Sequence, residues 1–147
     1  MRILLQKVQS ALVSVDGVEV GSIGHGYLLF LGVMKGDMEA QAELLAQKIS
    51  TLRLFDGPDQ KINDRSLIDI GGSALVVSQF TLAGTTDKGN RPDYTGAEAP
   101  DRARILYERF VSALQKAGIA HVATGVFGAH MEVSLLNDGP VTLLLER

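Results

Sequence analysis

"ALVVSQFTL", residues 74–82, decides how the rest of the chain is read. Four aliphatic residues, Ala74 to Val77, run without a polar interruption after Gly71-Gly72-Ser73, the pattern of an interior strand covered on both faces. Gln79 then breaks the apolar run. If the strand alternates to its end, Ser78 and Phe80 share one face, and Gln79 and Thr81 the other. The plainer reading is a strand leaving the core with its polar face wet. The functional reading is a pair of hydroxyls and an amide at the end of a buried strand, where active-site groups often lie.

Upstream, "RILLQKV" (2–8) and "ALVSV" (11–15) are strand-like, and Asp16-Gly17 is a strong hairpin signal before "VEV" (18–20). "GYLLFLGV" (26–33) is a second continuous apolar run and suits a central strand. Asp37 is placed to cap a helix over residues 38–54, whose stripe is Met38, Ala42, Leu45, Ile49 and Leu52. A polar loop, "DGPDQKINDRS", separates it from the 74–82 strand.

Downstream, residues 83–99 form the longest stretch without periodicity, and a loop of that length in a compact domain is usually functional. A second helix is expected from Pro100 to Ala117, with Pro in its first turn and Gly118 past its end. Its inner face would be Ile105, Leu106, Phe110, Val111 and Leu114. Strands over 121–127, 130–136 and 141–146 finish the chain, the last preceded by Asn137-Asp138-Gly139-Pro140, which reads as a surface turn. Four punctuating residues are more than a chain reversal requires. The pattern is one α/β (α+β) domain spanning 1–147, with two main helices against a largely antiparallel sheet or open barrel.

Bulk properties narrow the classes. A chain of 147 residues that is 46% hydrophobic and 21% charged folds around one core. With no cysteine, disulfides and thiolate chemistry are excluded. No apolar run approaches the roughly 20 residues of a spanning helix, and Arg2 leads into a strand and not into a leader, so a soluble, cytosolic protein is expected. A formal net charge of −3 argues against tracking a phosphate backbone, so a nucleic-acid partner would be gripped locally.

"GSIGHG" (21–26) lacks the Lys-Ser/Thr ending of a phosphate loop and reads as hairpin glycines. His25, His121 and His130 stand at no metal-ligand spacing and read as surface or strand-end residues; no metal and no cofactor is expected. No GxSxG elbow is present to support a serine triad. Lys88, Arg91, Arg102 and Arg104 would suit phosphates or, equally, a solvated surface.

"SQFTL" (78–82), "KGNRPDY" (88–94), "TGVFGAHMEV" (124–133) and "NDGPVT" (137–142) together resemble the D-aminoacyl-tRNA deacylase, or D-Tyr-tRNA deacylase, family. "MRILLQKVQSALVSVDG", "LRLF" and "GGSALVVSQFTL" extend the resemblance over essentially the whole chain. It implies a small β-barrel-like α/β domain in a two-fold homodimer, with active sites at the interface. It implies hydrolysis of the ester joining a D-amino acid to the 3′-terminal adenosine of tRNA, and of glycyl-tRNA as a second substrate.

The resemblance further implies that Gly139 and Pro140 form a cis peptide reaching into the partner's site, where their carbonyls hold the substrate ammonium and exclude an L side chain. Asn137 and Asp138 would brace that segment. Ser78 and Gln79 would orient the ribose or ester carbonyl, and main-chain N–H groups at Phe80 and Thr81 would stabilise the oxyanion. The ribose 2′-OH would help activate water. Phe127 and Met131 would line the adenosine pocket, core packing being the alternative. Thr81 as a covalent nucleophile is the competing idea, and a non-catalytic module binding a small molecule or RNA end is another. The family commonly has arginine where this chain has Lys7; lysine keeps the charge without the planar fork, so a branch with relaxed selectivity stays open.

Overall fold

The computed structural model describes residues 1–59, 61–87 and 89–147. Strand β1 (Arg2–Val15) organises the molecule. Its first half pairs antiparallel with β3 (Gly26–Gly32), Ile3 opposite Leu31, and its second half with β2 (Val18–Ile23), Val13 opposite Gly21. Asp16 and Gly17, at φ 50° and 76°, make the tight turn between β1 and β2. β3 pairs parallel with β6 (Ser73–Ser78), and β6 parallel with β7 (His121–Thr124). The sheet is therefore mixed. Gly26 can pair with Ser73 only because it lacks a Cβ, which would lie 1.8 Å from Ser73 O.

β7 returns to β2: a Cβ on Gly21 would fall 2.5 Å from Thr124 O, and His121 Nε2 lies 3.4 Å from Ser22 O. The sheet is thus nearly closed into a barrel. Inside it pack Val8, Val13, Ile23, Leu28, Leu75 and Val77. Outside, Tyr27, Leu29, Leu31 and Val76 meet Leu45 and Ile49 of α1 (Glu39–Thr51) and Leu106, Phe110 and Leu114 of α2 (Pro100–Lys116). Alternate residues of β3 and β6 enter different cores, which is why both read as unbroken apolar runs. A two-stranded ribbon, β4 (Arg53–Phe55) with β5 (Arg65–Ser66), follows α1. Among the described residues no helix is long and apolar enough to cross a membrane.

Several expectations need correction. The cap of α1 is Met38 and not Asp37: Gln41 Oε1 accepts the Met38 N–H (2.9 Å), while buried Asp37 accepts from Met1 N (2.6 Å) and Met34 N (2.7 Å). α1 ends at Thr51 because residues 53–55 are needed for β4. Ile105 is 60% exposed; the buried ladder of α2 is Ala103, Leu106, Phe110 and Leu114, from which Ile105 is about 100° displaced relative to its neighbour. The 74–82 strand stops at Ser78, and Phe80–Ala83 form a 3-10 turn, so the alternation does not reach Phe80.

The C-terminal region differs most. The expected strands 130–136 and 141–146 are one strand, β8 (Glu132–Glu146), antiparallel to β1 throughout. Asn137 to Pro140 do not reverse the chain. Val8 faces Asn137 and Gln6 faces Thr142, so Lys7 alone stands opposite residues 138–141, which bulge out of the strand. That bulge is what the four punctuating residues build.

Candidate active site

A cleft of about 720 Å³ opens where β6 ends. Its floor is Leu31, Val33 and Val77. Ser78, Gln79 and Phe80 form one wall; Phe127, His130 and Met131 contribute another; Tyr94 and Glu98 come from the long loop. Gln79 N–H continues the ladder to Leu31 O (2.8 Å), after which the chain coils into the 3-10 turn. Gly32 makes room beneath it: a Cβ there would lie 2.9 Å from Leu82 Cβ and 3.0 Å from Gln79 O. Arg2 Nη1 donates to Leu82 O (2.9 Å) and ties the turn to β1.

Within the turn the first hydrogen bond runs from Leu82 N–H to Gln79 O (3.2 Å), so the N–H groups of Phe80 and Thr81 have no partner inside it. Thr81 Oγ1 accepts from the Gln79 side-chain amide, a donor that cannot take a proton. Phe80 is 58% exposed and meets Tyr94 edge-on, centroids 5.4 Å apart. The Tyr94 loop is fixed by Thr95 N–H donating to Asp93 Oδ1 (2.8 Å), a bond that also lowers the Asp93 pKa. Phe127 packs edge-on against Tyr107 (5.7 Å), whose hydroxyl donates to Val76 O (2.9 Å). Burial pushes the Tyr107 hydroxyl up to about 12. Met131 sits over Gly125, where a Cβ would be 2.5 Å from its sulfur.

A second cluster stands apart from this cleft. Lys7, 8% exposed, places Nζ 3.2 Å from Asp138 Oδ2 and over the Phe55 ring (5.7 Å); His25 Nε2 approaches the same oxygen at 3.7 Å. Asn137 Oδ1 accepts from Gln6 Nε2 (3.1 Å). The Gly139–Pro140 peptide is cis. A Cβ on Gly139 would meet nothing closer than Asn137 Nδ2 at 3.5 Å, an ordinary contact, so packing within the chain does not require glycine there.

The structure therefore brings Ser78, Gln79, Phe80, Phe127 and Met131 into one cleft, with Thr81 bonded to Gln79, and gathers Lys7, Asn137, Asp138, Gly139 and Pro140 elsewhere; the cleft wall contains none of residues 137–140. Tyr94 and His130 lie within the quoted motifs "KGNRPDY" and "TGVFGAHMEV" but were given no role in the site, and only the length of the 83–99 loop pointed to Glu98. Of the basic residues, Arg102 is held by Glu98 (3.3 Å) and by Asp37 O, Arg91 is exposed, and Lys88 lies outside the described residues. Among the described residues no three His, Asp or Glu side chains gather in a metal-binding group.

Residues 4–146 match the family model described as D-Tyr-tRNA(Tyr) deacylase. The D-aminoacyl-tRNA deacylase of Pelobacter propionicus is 54% identical over 147 residues, covering all of both chains. That of Thermomicrobium roseum is also 54% identical, over 99% of this chain and 94% of its own. A solved structure named c-Myc DNA Unwinding Element Binding Protein superposes with a TM-score of 0.94 at 36% identity, covering 100% of this chain and 99% of its own. A probable eukaryotic D-amino acid tRNA deacylase shares the fold, with a TM-score of 0.84 at 19% identity over 98% of this chain and 97% of that one.

Proposed function

The chain belongs to the D-Tyr-tRNA(Tyr) deacylase family, and from that premise we propose that its cleft hydrolyses the ester of D-aminoacyl-tRNA, a proofreading step in translation. The observation carrying the reading is the convergence of Ser78, Gln79 and Phe80 at the mouth of β6 with Phe127 and Met131 across the same cleft. The 3′-terminal adenosine of the acceptor end enters between Phe127 and Met131. Gln79 and Ser78 hold the ribose and ester carbonyl. The N–H groups of Phe80 and Thr81, unused within their turn, receive the oxyanion. The ribose 2′-OH activates the attacking water, since Thr81 has a donor and not a base beside it.

The stereochemical filter comes from a second copy. Two protomers pair about a two-fold axis, and each lends Gly139 and Pro140 to its partner's cleft, where main-chain carbonyls hold the α-ammonium and leave no space for an L side chain. Two features support this: β8 exposes Leu136 and Leu144, and Gly139 lacks a packing reason within its own chain. Glycyl-tRNA, with no side chain to exclude, is a second substrate. Such an enzyme works in the cytoplasm and makes few phosphate contacts, so binding depends shallowly on salt.

The test compares hydrolysis of matched D- and L-tyrosyl-tRNA by the purified protein, with and without a chelator. D-specific turnover that survives chelation is expected; equal rates on both isomers would end the strict filter, and no turnover would end the enzyme reading. A D-aminoacyl ester on RNA ending in 2′-deoxyadenosine should react slowly, and full rate there would overturn the RNA-assisted route.

A further inference from the structure

We propose that the shallow groove on the far side of Phe127 is a phosphodiester subsite, with Arg104 taking one phosphate of the RNA strand that leads to the terminal adenosine. This groove, about 390 Å³, is lined by Arg104, Tyr107, Glu108, Thr124 and Phe127 among others. Phe127 belongs to both the groove and the cleft, so a strand whose last base sits in the cleft passes directly onto Arg104. The inference rests on the reading that the cleft takes the terminal adenosine.

Charge and geometry single out Arg104. Of the three arginines of α2, Arg102 is paired with Glu98 and Arg109 with Glu39 (3.5 Å) and Glu43, whereas Arg104 has no carboxylate partner among the described residues. Its guanidinium lies over the Phe127 ring, Cζ 5.2 Å from the centroid. That contact holds a planar fork beside the cleft, and among the described residues its N–H groups have no hydrogen-bond acceptor, the arrangement suited to bidentate contact with phosphate oxygens. Glu108 lines the same groove, so its field opposes a second phosphate. One cation against one carboxylate makes a single-phosphate subsite, consistent with a chain of net charge −3.

The experiment measures binding of fluorescent uncharged acceptor-stem RNA to the full chain across a salt series, and kinetics on D-tyrosyl-tRNA and on a phosphate-free D-tyrosyl ester of adenosine. Arg104→Gln should raise Kd about five- to tenfold and reduce the log–log salt slope by about 1. Its kinetic loss should lie in KM for the tRNA and shrink on the phosphate-free ester. Glu108→Gln should tighten RNA binding and leave the slope near that of the parent. Parent-like Kd and slope for Arg104→Gln, or an equal loss on both substrates, would overturn the subsite. Failure of the parent protein to hydrolyse either ester would instead sink the proposed function, while the RNA-binding arm still decides the subsite.

Discussion

Lys7 Nζ lies 3.2 Å from Asp138 Oδ2, and the two are unequally buried: the lysine side chain is 10% exposed and the aspartate 31%. Removing either partner should therefore have unequal consequences. Asp138→Ala leaves an ammonium buried beside the Phe55 ring without its carboxylate, a cost of about 3 kcal/mol. Lys7→Met keeps the buried volume and frees a carboxylate that turns toward water, a cost of about 1 kcal/mol. Urea denaturation of the two variants measures the asymmetry. Equal destabilisation would mean the pair is not seated as described.

Gly139 should separate stability from activity. Because a Cβ there meets only Asn137 Nδ2 at 3.5 Å, Gly139→Ala is expected to shift unfolding by no more than about 0.5 kcal/mol. If the residue approaches substrate in the partner's cleft, the added methyl should cut turnover of D-tyrosyl-tRNA at least about tenfold, roughly 1.4 kcal/mol in the barrier. A variant that is both stable and fully active would remove this segment from the site.

Tyr107 gives the protein an alkaline limit. Its hydroxyl donates to Val76 O in the core, and burial raises its pKa from 10.0 to about 12. The folded state thus holds this proton more tightly than the unfolded chain does. The associated stability is complete below pH 10 and is lost as pH rises from about 10 to about 12, with a slope of about 1.4 kcal/mol per pH unit for each such tyrosine. Tyr27, whose hydroxyl faces Leu52 O and is raised further by burial, adds to the same limb. Urea midpoints measured between about pH 9 and pH 11 should fall for the parent and fall less for Tyr107→Phe. An identical decline in both proteins would locate the alkaline effect elsewhere.

The barrel could be read from sequence where one periodicity governed a segment. "GYLLFLGV" and "ALVV" are continuous because Leu28 and Leu75 enter one core while Leu29 and Val76 enter the other. Of the stripe Met38, Ala42, Leu45, Ile49 and Leu52, the middle three are buried in α1 while Met38 is exposed as its cap; these three and the hairpin at Asp16-Gly17 were likewise local signals. What escaped was set by long-range partners. Asp37 looks like a cap, but Met1 and Met34 claim it. Asn137 to Pro140 look like a reversal, because only the register of β1 shows that β8 continues beyond them. "SQFTL" stood out by its residue types, yet the bend at Ser78 depends on the seat provided by Gly32, 46 positions earlier by sequence number, and no periodicity records that. His130 joined the cleft for the same reason: its loop is placed by the pairing of β6 with β7.

Thr81 decides between two chemistries. Its Oγ1 accepts from the Gln79 amide, which holds the hydroxyl in place but offers no basic atom to deprotonate it. In the RNA-assisted route the hydroxyl is a positioning group, acting by keeping Gln79 oriented toward the ribose. Thr81→Ala should then lower kcat/KM for D-tyrosyl-tRNA by about ten- to a hundredfold, the range for losing one orienting hydrogen bond. Thr81→Ser should restore most of it, since a serine hydroxyl can accept the same bond. A covalent nucleophile predicts otherwise: Thr81→Ala would drop kcat by about 10⁴-fold or more, and quenched reactions of the parent would trap an aminoacyl group on residue 81. Single-turnover kinetics with mass spectrometry of the quenched protein separates the two, and an acylated Thr81 peptide would overturn the assignment of water as the attacking group.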